Sequence, residues 1–68
     1  MKIYPTSDET IREWSRLLVI KHGSKFRLYG TIKETLKRWS EGLTALYGKP
    51  FRLHDNIDET LLEWSRNL

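Results

Sequence analysis

Sixty-eight residues without a cysteine allow one small domain, residues 1–68, that must hold together by apolar packing, with neither a disulfide framework nor a thiolate metal site. Hydrophobic residues make up 38% and charged residues 31%, with three Trp, three Tyr and two Phe, which excludes a disordered tail. No apolar run approaches the roughly 18 residues of a membrane span, no signal-peptide segment opens the chain, and a net charge of +3 favours an anionic partner, so the expectation is a cytoplasmic protein away from membranes.

Met1-Lys2-Ile3-Tyr4 reads as a short extended segment. Thr6 and Glu9 then form a capping box that starts a helix, and Gly23, 17 residues after the cap, is the residue type that ends one. Within it Ser7, Ile11, Trp14 and Leu18, at spacings of 4, 3 and 4, make one stripe for a core. Leu17, Val19 and Ile20 lie off that stripe and add a second apolar flank, which suits a homodimer interface.

Lys25-Phe26-Arg27-Leu28-Tyr29 alternates in the manner of a half-buried strand. Thr31 with Glu34 opens a second helix that Gly48 closes, with the stripe Ile32, Leu36, Trp39 and Leu43 and the cations Lys33, Lys37 and Arg38. Pro50-Phe51-Arg52-Leu53-His54 repeats the strand pattern, and Asn56 with Glu59 opens a third helix carrying Ile57, Leu61, Trp64 and Leu68. By the same arithmetic that helix should run to about position 73, whereas the sequence stops at Leu68.

These elements are copies of one another at an offset of 25, and residues 26–43 and 51–68 share 10 of 18 positions, where unrelated sequences would share roughly one. The units are 1–25, 26–50 and 51–68, the last one short. An extended segment followed by a helix, three times, predicts an α/β fold: three tandem βα repeats with a three-stranded parallel sheet and all helices on one face. Strands buried on one face only disfavour a sheet covered on both. The rival architecture is a three-helix bundle whose connectors are extended but unpaired.

In such a sheet Ile3, Phe26, Leu28, Phe51 and Leu53 face the helices, and the opposite face presents Lys2 and Tyr4, Arg27 and Tyr29, and Arg52 and His54. One cation and one ring per strand would hold phosphates and stack on unpaired bases, with Lys33, Lys37 and Arg38 extending the positive field, so DNA or RNA is the expected partner. The alternative is a protein-interaction module or a small inhibitor of the sort mobile elements encode, docking on a larger protein or on itself. Catalysis has little to stand on. Ser15, Ser40 and Ser65 sit in mid-helix beside a Trp without a paired His, and the four glycines form no phosphate loop. His54, Asp55, Asp58 and Glu59 are explained as a helix start, so no metal or other cofactor is expected.

Overall fold

The computed structural model describes residues 1–68 and contains three α-helices and no strand: α1 (Ser7–His22), α2 (Ile32–Tyr47) and α3 (Ile57–Asn67), with a single 3-10 turn at Ser24–Phe26. All three helices start at the expected caps. The side-chain oxygens of Thr6, Thr31 and Asn56 accept from the amides of Glu9, Glu34 and Glu59 at 3.2, 3.0 and 2.7 Å. Asp8, Glu9, Glu34, Asp58 and Glu59 supply negative charge to the first turns, where the helix dipole favours it. The first two helices end on Gly23 and Gly48, both at positive φ (103° and 69°), a region open to glycine at little cost.

The core is the stripe repeated three times. Ile11, Trp14 and Leu18, with Leu36, Trp39 and Leu43 and with Leu61 and Trp64, are buried together with Phe26 and Phe51. Trp14, Trp39 and Trp64 show at most 1% of their surface, and rings of this size supply most of the apolar burial available to so short a chain.

The connecting segments are extended, yet they never meet. Each lies in a furrow between two helices and runs antiparallel to them, fastened by side chains where a sheet would use a ladder. In the second connector Ser15 Oγ of α1 donates to Phe26 O at 2.9 Å, Trp39 Nε1 of α2 donates to Arg27 O at 3.1 Å, and Thr35 Oγ1 accepts from the Tyr29 amide at 2.9 Å. The third connector repeats this with Ser40 Oγ on Phe51 O, Trp64 Nε1 on Arg52 O at 2.9 Å, and Thr60 Oγ1 accepting from the His54 amide at 2.9 Å. The first does so with Trp14 Nε1 on Lys2 O at 2.8 Å and Thr10 Oγ1 accepting from the Tyr4 amide at 2.9 Å.

The expected parallel sheet is therefore absent, and with it the α/β class; the bundle with extended connectors is the observed architecture. The alternation in Phe26–Tyr29 and Phe51–His54 marks no strand pairing, and only the first apolar position in each segment is buried against the helices. Phe26 and Phe51 are buried as expected, but Ile3, Leu28 and Leu53 are 42%, 44% and 47% exposed, at the mouths of the furrows. A helix stands between any two connectors, so backbone groups that a ladder would satisfy are met by Trp, Thr and Ser side chains of conserved spacing within the repeat.

The three units close on themselves. Ile3 and Tyr4 line a groove with Asp58, Leu61 and Leu62 of α3, the counterpart of the groove that Leu28 and Tyr29 line with Asp8, Ile11 and Arg12 of α1. Met1 occupies the place of Phe26 and Phe51, half-buried against the core, with its amino nitrogen 3.4 Å from Ser65 O. The result is a pseudo-threefold arrangement of three helices and three furrows, about 25 × 22 × 21 Å.

Candidate nucleic-acid interface

Because the connectors occupy separate furrows, Lys2 and Tyr4, Arg27 and Tyr29, and Arg52 and His54 do not share one face. The grid of cations and rings expected of a sheet is not formed. What remains are three local pairs and the charges of α2.

The densest of these groups surrounds Tyr29. The Arg27 guanidinium stands 4.4 Å from the Tyr29 ring centroid and that of Arg38, from α2, stands 5.2 Å from it. The ring itself is fixed at both ends: its backbone amide is held by Thr35 and its hydroxyl donates to Lys25 O at 3.0 Å. Lys25, Tyr29 and Arg38, with Glu41 and Gly42, line a shallow cleft of about 310 Å³. Arg38 Nε also donates to Glu34 Oε2 at 2.9 Å, and that hydrogen bond, followed by the charge of Glu34, raises the guanidinium's pKa above its already high ordinary value. Arg38 is thus a permanent cation. Arg27 is exposed and enters none of the four ion pairs of the chain.

The other predicted residues are placed apart. Lys2 Nζ lies 5.3 Å from the Tyr4 ring centroid at the furrow between α3 and α1. Arg52 is exposed and His54 largely so on the third connector, where His54 Nδ1 is 3.8 Å from Glu59 Oε1. Lys33 shares with His54 the groove between α2 and that connector, whereas Lys37 is exposed on α2 outside every groove. Of the expected oligomer interface, Ile20 is 76% and Leu17 41% exposed, while Val19 packs against the core. No three His, Asp or Glu side chains are placed to hold a metal ion.

Charge is unevenly spread over the pseudo-symmetric frame. Residues 26–50 carry five cations (Arg27, Lys33, Lys37, Arg38, Lys49) against two carboxylates, and residues 51–68 carry two cations against four. The difference arises at matched positions. Lys33 and Arg38 replace Asp8 and Glu13 of the first unit and Asp58 and Glu63 of the third. The role of Lys25 beneath Tyr29 was not visible in the sequence, since a backbone carbonyl as partner leaves no trace in residue type.

No family model, curated protein or solved structure matches this chain.

Proposed function

We propose that this protein is a small non-enzymatic binding module whose second unit contacts nucleic acid through phosphate. The observation that carries the reading is the pair of guanidiniums, Arg27 and Arg38, seated on one fixed ring in the unit with the largest positive excess. A guanidinium held on an aromatic pedestal has less freedom left to lose on binding, and its fork matches phosphate oxygens. Lys25, Lys33 and Lys37 extend the field along the same unit and its flank. Tyr29 acts here as support for the cations, because the stacking positions over its ring are taken by the chain's own guanidiniums. A cysteine-free chain is at home in the cytoplasm, where we place this contact.

The test is a fluorescence titration of labelled single-stranded and duplex oligonucleotides at two salt concentrations, with wild type and with Arg27→Ala plus Arg38→Ala. Phosphate binding weakens steeply as salt rises, and losing two phosphate contacts lowers the slope of log K against log salt by roughly 1.5–2. Binding that ignores both salt and the double substitution overturns the reading.

A second reading, docking on a protein through α1, is favoured by one observation: Ile20 is 76% exposed beside the 41% exposed Leu17. Binding of that kind barely responds to salt and is lost in Ile20→Glu.

A further inference from the structure

Two of the three furrows hold the segments that join α1 to α2 and α2 to α3, and the third, between α3 and α1, holds residues 1–4. That seam is the least complete. Ser15 and Ser40 donate to the carbonyls of Phe26 and Phe51, but Ser65 Oγ turns back to Leu62 O within its own helix. Where Phe26 and Phe51 are almost fully buried, Met1 is only half-buried. Beside Phe26 and Phe51 stand the rings of His22 and Tyr47, at 5.8 and 5.5 Å.

The third unit is fastened within itself, and Ser40 and Thr44 of α2 also hold its Phe51. Its connector is fastened to its own helix by Trp64 on Arg52 O and by Thr60 on the His54 amide. It is joined to the rest through Gly48-Lys49-Pro50, an exposed turn whose glycine is left-handed and has open space where a side chain would stand.

We propose that residues 51–68 exchange between two copies of this chain by straightening at Gly48. Each third unit would then dock on the partner's α2 and close the seam against the partner's Met1 and α1. Every contact outside the hinge is re-formed in trans with the same chemistry, so the balance between closed monomer and exchanged dimer is set by the hinge conformation and by concentration. The occupant of the seam is a second copy because the seam's own complementary surface, α3 with Leu61 and Leu62, is what fills it in the monomer.

The test is sedimentation velocity from low micromolar to millimolar concentration on wild type, Gly48→Ala and Ile20→Glu. Alanine resists the left-handed conformation of the closed form in both chains of a dimer, so Gly48→Ala should lower the dimer dissociation constant roughly tenfold or more, while Ile20→Glu leaves it unchanged. Should Gly48→Ala fail to fold, mixed labelled and unlabelled wild type at millimolar concentration decides by nuclear Overhauser effects: contacts between Met1 of one copy and Ser65 of another support exchange. A dimer abolished by Ile20→Glu and indifferent to Gly48→Ala, or strictly monomeric behaviour of both wild type and Gly48→Ala, overturns the proposal.

Discussion

Trp39 holds Arg27 by its backbone: the indole Nε1 donates to the Arg27 carbonyl at 3.1 Å, which leaves the guanidinium outside the furrow and free to sit on Tyr29. The same bond recurs from Trp14 to Lys2 and from Trp64 to Arg52, always across 12 residues. One side chain thereby fills the core and fixes the connector that carries the proposed site. Trp39→Phe keeps most of the ring but leaves the Arg27 carbonyl without its donor, and should destabilise the fold by about 1–3 kcal/mol in urea denaturation. An unchanged midpoint would mean that water replaces the indole.

Thr35 offers a cleaner separation of polar from apolar effects. It is buried, accepts from the Tyr29 amide and donates to Thr31 O at 2.9 Å. Thr35→Val preserves shape and strands the Tyr29 N–H, for an expected loss of about 1–3 kcal/mol, whereas Thr35→Ser keeps the hydroxyl and should lose less. Amide exchange at Tyr29 gives an independent reading, since its protection should fall in the valine variant and persist in the serine one.

Gly42 is needed for space. A Cβ there would stand 3.0 Å from Cζ of the buried Phe26, a ring locked between α1 and α2. Alanine would gain up to about 1 kcal/mol of helix propensity, yet overpacking costs about 1–3 kcal/mol, so Gly42→Ala should be net neutral to destabilising where an exposed helical glycine would gain. A rise in thermal midpoint would show that Phe26 yields freely.

How far the sequence discloses this fold depends on which groups do the work. Helix starts at Thr6, Thr31 and Asn56, ends at Gly23 and Gly48, and the stripe centred on the three tryptophans are legible because caps and periodicity are local. The connectors are not. Phe26–Tyr29 has the composition and alternation of a strand, and only the furrow decides that its partners are Ser15, Trp39 and Thr35. A signal was nonetheless present: serine, tryptophan and threonine recur at fixed separations from the connector, 11, 12 and 6 residues, more regular than a small-residue border to the stripe would need. Of the candidate site, the residue types Arg27, Tyr29 and Arg38 were legible, but their convergence on one ring depends on the connector lying beside α2.

Removing the cap of the second helix probes the unit that carries the site. Thr31 Oγ1 accepts from the Glu34 amide at 3.0 Å, and Thr31→Ala should cost about 1 kcal/mol. Because Glu34 in turn pairs with Arg38, loosening that first turn should also weaken oligonucleotide binding in the proposed reading, by less than loss of Arg38 itself.

The central claim is that each connector lies alone between helices and that the ring of furrows closes between α3 and α1. Nuclear Overhauser contacts measured on the monomer test it directly. The account predicts contacts from Ile3 and Tyr4 to Leu61 and Leu62, and none between the backbones of Phe26–Tyr29 and Phe51–His54. Cross-strand backbone contacts between those two connectors, with no contact between Ile3 and α3, would contradict it.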